Sequence, residues 1–406
     1  MSSRTFFLGG QSGFPRPSAK LLAPILLAAC GDDGGATSTG ACRLVGAPLQ
    51  LAHSRDFDVA ALGDRVVLVV STDTAVEARV LTADTDTQPE PLSLARGPVS
   101  LAVSAGDVLV QTFPLSWQMS APRLARFDGA SSTWSIETGT ALEEAGFSTR
   151  GGVLAANDTE LVSFWVEGVS DPMALVAPWG TNTFGPATAV LDDAADLSGY
   201  TVHAAFDGAG RLHLATVGDL GGTTGGTGLL HAVRDDGTWA ATTRVGDTPG
   251  YFQNTVTTAM TVDSGGAVWL AEVHAEDFFE ETKAGFTFWR DDGTGPKVVA
   301  RPSESRLVVE GLDLAPLPDG RVIATASWGA NNLEPAQSDD SVTLTLCTAS
   351  ACSRAGTLEG KNGVFYEATK VAYAGTFGVA AWGWADKGGS DDEGLTVQRF
   401  VCDPAP

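Results

Sequence analysis

The sequence predicts an all-β fold: a seven-bladed β-propeller of four-stranded antiparallel blades, closed by the N-terminal strand in the last blade. Three observations carry this. A unit of about 50 residues recurs seven times, each time as a β-branched-rich strand, a Gly/Asp turn and a second apolar strand. Helical periodicity is scarce, with no convincing amphipathic helix after residue 42. The cysteine spacing, taken below, leaves the seventh unit one strand short.

The units follow in order. Their turns and flanks read DVAALGDRVVLVV (58–70), LAVSAGDVLVQTF (101–113), VLAANDTELVSFW (153–165) and HAAFDGAGRLHLATV (203–217), then AMTVDSGGAVWLAEV (259–273), LDLAPLPDGRVIATA (312–326) and KVAYAGTFGVAAW (370–382). Blade 1 is expected at 56–96, blade 2 at 97–141 and blade 3 at 149–192. Blade 4 has strands near 200–207, 211–218, 228–234 and 239–245. Blade 5 follows at 255–302 and blade 6 at 310–359. Blade 7 takes 367–402 plus 41–51. A ring of blades leaves no long open sheet edge. A pair of β-sandwiches would not explain seven equally spaced turns.

Composition bounds the function. The 406 residues are 43% hydrophobic and 18% charged, an ordinary globular balance. The net charge is −24. Residues 1–29 hold Arg4, Arg16, Lys20 and no acid, so the remainder carries 22 basic against 49 acidic residues, or −27. Nucleic-acid binding needs a basic footprint and is excluded as an expectation. Solubility is the plain reading of the acidity.

The N-terminus reads as an address. LLAPILLAA (21–29) follows Arg16 and Lys20. About nine apolar residues cannot span a bilayer, which needs roughly 20, but they suit a signal-peptide core. The core ends in Leu27-Ala28-Ala29-Cys30, and GDDGGATSTGA (31–41) follows as a tether. Leu27 to Cys30 resembles the lipobox of bacterial lipoproteins. The resemblance implies acylation at Cys30, a membrane partner through that anchor, and an exported protein of the outer membrane, cell surface or periplasm. Gly31 follows Cys30 where an Asp would favour inner-membrane retention, so the outer membrane is expected. The domains are then a signal peptide (1–29), a tether (30–41) and a propeller (42–406). Residues 1–15 exceed a typical n-region, and translation is expected to start further downstream.

Export implies an oxidising compartment, where five cysteines need accounting. Lipidation removes Cys30, and the other four allow three pairings. Cys347 ends SVTLTLC and Cys352 opens CSRAGTLEG after the four-residue turn TASA. Cys402 ends GLTVQRFVC with no strand after it, and Cys42 in ACRLVGAPLQL stands where Cys352 stands. We therefore pair Cys347 with Cys352 and Cys42 with Cys402. The second bridge closes the ring and restricts the unfolded chain by about 5 kcal/mol in the chain-entropy model. In propellers the innermost strand runs from top to bottom, so the N-terminal strand, outermost in blade 7, begins at the bottom. The top face then points away from the membrane.

Function tends to reside in the long top-face loops. These read GDLGGTTGGTG (218–228), HAEDFFEETKAG (274–285), WGANNLEPAQSDD (328–340) and ADKGGSDDE (385–393). The last three carry Glu276, Asp277, Glu280, Glu281, Glu334, Asp339, Asp340, Asp391, Asp392 and Glu393. Such a rim attracts a cation or a basic partner. No cofactor is expected, although the acidic loops are where a structural calcium would sit. DTDTQPE (84–90) lacks the EF-hand spacing.

RDDGTW (234–239) and FDGASSTW (127–134) resemble the Asp-box of sialidase-like propellers. Both lack the Ser that begins that motif, and RDDGTG (290–295) lacks the Trp. A sialidase would also need an arginine cluster for the substrate carboxylate. Arg55, Arg96 and Arg150 precede the first strands of blades 1 to 3. His203, His213 and His231 fall on three successive strands of blade 4. If FDGAGR closes as a four-residue loop, His203 opposes Leu214 and His213 faces away, which points to interblade packing and not to zinc. Trp165, Trp269, Trp328, Trp382 and Trp384 read as interblade packing, with Trp328 and Trp384 as possible rim contacts.

No G-x-S-x-G, H-E-x-x-H, Walker or Rossmann constellation is present. The expected function is a non-catalytic binding or scaffolding propeller for a protein or glycan, acting as a monomer. A glycan-active hydrolase or lyase is the alternative. The candidate ligand-binding residues are Arg55, Arg150, Tyr200, Tyr251, His274, Trp328 and Tyr366.

Overall fold

The computed structural model describes residues 42–52, 56–113, 124–137, 152–166, 172–181, 183–190, 202–218, 228–245, 257–275, 284–302, 308–329, 341–360, 364–386 and 393–404. The chain divides into a segment Met1–Ser38 and a body Thr39–Pro406. The first segment, Cys30 and the tether lie outside the described residues.

The body is a seven-bladed β-propeller, and no described residue is helical. Strand β1 (Cys42–Ala52) belongs to the last blade. Blade 1 is β2 (Asp56–Leu62), β3 (Arg65–Ser71), β4 (Val76–Leu81) and β5 (Glu90–Leu92). Blade 2 is β6 (Val99–Ser104), β7 (Asp107–Thr112), β8 (Leu124–Asp128) and β9 (Thr133–Glu137). Blade 3 is β10 (Gly152–Ala156), β11 (Glu160–Val166), β12 (Pro172–Pro178) and β13 (Thr188–Ala189). Blade 4 is β14 (Val202–Phe206), β15 (Leu212–Gly218) and β16 (Gly228–Asp235), flanked by two short outer pieces, β17 (Thr238–Trp239) and β18 (Thr243–Val245). Blade 5 is β19 (Thr258–Val262), β20 (Val268–Ala275), β21 (Ala284–Asp291) and β22 (Lys297–Ala300). Blade 6 is β23 (Val308–Pro316), β24 (Val322–Gly329), β25 (Ser341–Thr348) and β26 (Ala351–Gly360). Blade 7 is β27 (Val364–Ala374), β28 (Phe377–Asp386) and β29 (Glu393–Cys402), completed by β1 in the order β1-β29-β28-β27.

The apolar runs follow from position. A second strand lies between two neighbouring blades and is buried on both faces, so it reads as a continuous run. Val66, Val67, Leu68 and Val69 of β3 have no exposed surface. Outer strands are half solvated: Ile136 of β9 and Val298 of β22 are exposed. The core is not central but divided among the interfaces. Seven buried apolar clusters correspond to the seven blade-to-blade contacts. One of them joins Phe57, Val59, Val66 and Leu68 of blade 1 to Val379, Ala381, Leu395 and Val397 of blade 7, which closes the ring.

The termini are bound twice over. Cys42 pairs Cys402 in the β1–β29 ladder, and a disulfide joins them over a sequence separation of 360. Gln398 Nε2 donates to the Val45 carbonyl at 3.0 Å, and Thr396 Oγ1 donates to Gln50 Oε1 at 3.0 Å. A second disulfide, Cys347–Cys352, spans the β25–β26 turn.

The lower rim carries the first-to-second and third-to-fourth turns. The upper rim carries the second-to-third and blade-to-blade connections. Blades 4, 5 and 6 share one lower turn of five residues, Asp207–Arg211, Asp263–Ala267 and Leu317–Arg321, with the fourth position a glycine at φ +82°, +83° and +85°. This corrects the sequence register in blade 4. Phe206 pairs Leu212, so His203 opposes Ala215, not Leu214, and His213 lies on the same face as His203. The Asp207 carboxylate fastens the five-residue turn: its Oδ1 accepts the N–H groups of Ala209 and Arg211 at 2.9 Å each.

The turns of blades 4 and 5 also touch backbone to backbone. A Cβ on Gly266 would sit 2.9 Å from the Gly208 Cα, while one on Gly210 would meet open space. Gly266→Ala combines left-handed strain with a backbone collision and should cost at least about 2 kcal/mol. Gly210→Ala should cost about 1 kcal/mol. Urea denaturation midpoints of the two variants check the difference.

Candidate functional site

The seven first strands contact one another in sequence around a central channel, β2 to β6, β10, β14, β19, β23, β27 and back to β2. Each has one face toward the following blade. On that face stand Asp58, Ser100, Val153, His203, Ala259, Asp313 and Lys370. Five of these seven are polar, and they form a girdle. Asp58 Oδ2 accepts the Leu101 N–H at 2.8 Å, Ser100 Oγ accepts the Leu154 N–H at 2.9 Å, and Asp313 Oδ2 accepts the Val371 N–H at 2.8 Å. His203 bonds the Thr258 backbone. Lys370 Nζ lies 3.6 Å from Asp58 Oδ1. Sequence reasoning missed Asp58, Asp313 and Lys370.

Asp313, Lys370 and Asp58 come from three successive blades and form the strongest charge constellation of the described channel. Burial pushes the Asp313 carboxyl up to about 6, against the pull of Lys370 and the Val371 amide. Burial opposes the Lys370 charge, but Asp58 and Asp313 more than offset it, so its pKa lies above the ordinary lysine value. Across the channel, burial lowers His203 to about 3, and Lys370 adds to this.

A second titratable group lies between blades 4 and 5. His213 Nε2 is 3.2 Å from Asp207 Oδ2, and His213 Nδ1 is 2.9 Å from His231 Nε2. A carboxylate only accepts, so His213 donates to Asp207 and accepts from His231. The rings stack at 5.1 Å and 13°. Arg211 Nε also donates to Asp207 Oδ2, at 2.7 Å. Burial lowers both histidines, and His231 titrates at about 4.

The unfolded chain therefore binds protons that the fold rejects. Stability attributed to His231 is complete above about pH 6.5 and is lost as pH falls toward 4, by about 3 kcal/mol. His203 acts in the same direction, and Asp313, whose pKa is raised, acts in the opposite one below about pH 6. Urea melts at pH 7 and 4.5 check the sign: His231→Gln should lose about 2 kcal/mol less than the unsubstituted protein between the two.

The sequence-predicted residues fall as follows. Arg55, Arg150, Tyr200 and Tyr251 lie outside the described residues. His274 pairs Gly285 at the upper end of β20, Trp328 pairs Ser341 at the upper end of β24, and Tyr366 pairs Trp384 at the upper start of β27. These three backbone positions occupy the upper rim of adjoining blades, and their side chains lie outside the description. The acidic loop residues 276–281, 334–340 and 391–392 are also outside it, and Glu393 is half-buried.

Arg96 is committed to blade 1, where its guanidinium donates to the Asp73 carbonyl. Trp165, Trp269 and Trp382 are buried between blades, and the latter two donate to Asp263 Oδ2 and Glu359 Oε2 at 3.0 and 2.8 Å. The turn of FDGASSTW pairs Phe127 with Trp134, and that of RDDGTW pairs Arg234 with Trp239, both on the lower rim. Among the described residues no group of three or more His, Cys, Asp or Glu could hold a metal. No described helix is long and apolar enough to cross a membrane.

No family model and no curated protein matches the chain. Solved structures do. Polysaccharide lyase Uly1 is similar at TM-score 0.52 and 10% identity over 86% of this chain and 90% of its own. What the two share is the fold. The β-propeller domain of the Trilobed protease from Pyrococcus furiosus aligns at TM-score 0.47 and 9% identity over 81% and 92%, and Trypanosoma rangeli sialidase at 0.45 and 10% over 86% and 55%.

Proposed function

We propose that this chain is an exported lipoprotein, anchored through acylated Cys30 in the outer membrane, whose propeller binds a protein or glycan without transforming it. The observation that carries this is the state of the channel charges. Asp58 and Asp313, the carboxylates best placed for acid–base work, each accept an amide from the next blade, and Lys370 lies between them. They act as interblade staples, which leaves the rim loops as the ligand surface. Two disulfides suit an oxidising compartment. Cys42 lies at the lower rim, where a tether from Cys30 would join, so the acidic upper rim faces outward and favours a basic partner.

Mass spectrometry of the membrane fraction tests the anchor: diacylglycerol on Cys30, lost in Cys30→Ser, is the expected result. The binding reading is tested on the full mature chain with a glycan array, an envelope extract and uronate polysaccharides of the kind a lyase would cleave. Retention of one ligand without unsaturated product is expected. Unsaturated uronate accumulating with time, and lost in Asp313→Asn, would replace the binding reading by catalysis at the channel.

A further inference from the structure

Blades 2 and 3 enclose a set of polar atoms that the fold leaves without partners. Gln111 (1% exposed), Ser163 (0%) and Trp165 (2%) are buried. Among the described residues, Gln111 Oε1, Ser163 Oγ and Trp165 Nε1 have no hydrogen-bond partner. Buried polar groups are paired in the great majority of cases, and an orphaned one costs about 1–3 kcal/mol. Three orphans at one interface therefore require an explanation.

Register puts them together. Gln111 shares its face of β7 with Leu109 and Phe113, and Ser163 and Trp165 share theirs of β11 with Leu161. Leu109, Phe113, Leu161 and Trp165 form the apolar contact between the two blades. Gln111 pairs Ser100, and Ser163 pairs Leu154. The Leu154 N–H donates to Ser100 Oγ at 2.9 Å, so Gln111 and Ser163 flank that bond at one level. Trp165 pairs Gly152, and a Cβ on Gly152 would lie 2.4 Å from the Phe113 ring. The indole is thus one step higher, toward the upper rim.

The chemistry is complementary. An indole N–H only donates, an amide oxygen only accepts, and a serine hydroxyl does both. A single hydroxyl group would accept from Trp165, donate its one proton to Gln111 and accept from Ser163; a water, with its second proton, could instead donate to Ser163. Three partners is the usual number for a buried water.

We propose that the interface of blades 2 and 3 is a hydroxyl-binding site, formed by Gln111, Ser163 and Trp165. Its occupant is water, or the hydroxyl of a sugar or polyol reaching in from the upper rim. This does not depend on the proposed function.

Nitrogen-15 indole NMR on the full chain tests it, with the Trp165 signal assigned by Trp165→Phe. A water cross-peak at the Trp165 N–H that survives addition of glucose, glucuronic acid and glycerol supports water. A cross-peak replaced by a shift with one of these solutes supports a ligand hydroxyl. Absence of both overturns the site. Stability provides a second reading. With a shared hydroxyl, the melting-temperature losses of Gln111→Leu and Ser163→Ala fail to add in the double variant. If each atom is an isolated orphan, apolar replacement raises the melting temperature and the shifts add, which also overturns it.

Discussion

Cys402→Ser is expected to lower the unfolding free energy by between about 5 and 6 kcal/mol, and Cys42→Ser and the double variant by the same amount. The cause lies in the unfolded chain. The bridge joins residues 360 apart, so its loss restores to the denatured ensemble the entropy of a loop that spans the whole ring. In the native state β1 remains an edge strand held by one ladder with a bulge between Val45 and Leu49. It therefore frays first, and blade 7 loses its outer strand. The internal control is Cys347→Ser. Its bridge spans five residues and should contribute about 2 kcal/mol. Guanidinium melts of the four variants check this. A loss at Cys402 no larger than that at Cys347 would mean that the termini are held by their ladder and packing alone.

Lys370→Met should remove about 2 kcal/mol and raise the Asp313 pKa further. The ammonium is the cation near both channel carboxylates, and its loss leaves Asp58 and Asp313 facing each other's charge. Removing one partner of a fully buried pair costs about 3–5 kcal/mol. Lys370 keeps 30% of its side chain accessible and Asp58 13%, which reduces the figure. The signature separates an electrostatic effect from lost packing: the deficit should shrink as pH falls below 6, when Asp313 takes a proton in the native state. Denaturation at pH 7 and 5.5, with carboxyl carbon NMR of Asp313, measures both. A deficit that is constant with pH would place the cost in the lysine stem.

The ring was legible because its signal repeats. Each of the seven quoted segments begins at or within one residue of a girdle position, so the turns fixed blade count and order. The cysteines carried the closure, since Cys402 ends one strand, Cys42 opens another, and the two are paired and bridged in the β1–β29 ladder. The girdle itself stayed hidden. Asp58, Ser100, His203, Asp313 and Lys370 share a position but not a chemistry, and an alternating strand tolerates any polar residue at its edge. Asp58, Ser100 and Asp313 each take a backbone amide of the next blade, 43, 54 and 58 residues away in sequence, while His203 bonds the Thr258 backbone and Lys370 meets Asp58 across the ring closure. The histidines of blade 4 were misplaced for a smaller reason. One turn residue held by Asp207 moves the register by one and brings His203, His213 and His231 to one face. The rim residues His274, Trp328 and Tyr366 were recognisable only as residues beside long connections, because strand ends carry no periodicity.

If the channel charges hold the blades and the upper rim holds the ligand, a partner should be met by the upper connections and not by the lower turns. Photo-crosslinking in the cells that make the protein tests it most directly, with the crosslinking residue placed in turn at Glu334, Asp391, Asp64 and Asp236. Glu334 and Asp391 belong to the segments that join the upper strand ends, and Asp64 and Asp236 to lower turns. Mass-shifted adducts of a common envelope species from the first two, and none from the second two, are predicted. Adducts from Asp64 or Asp236 alone, or from none of the four, would contradict it.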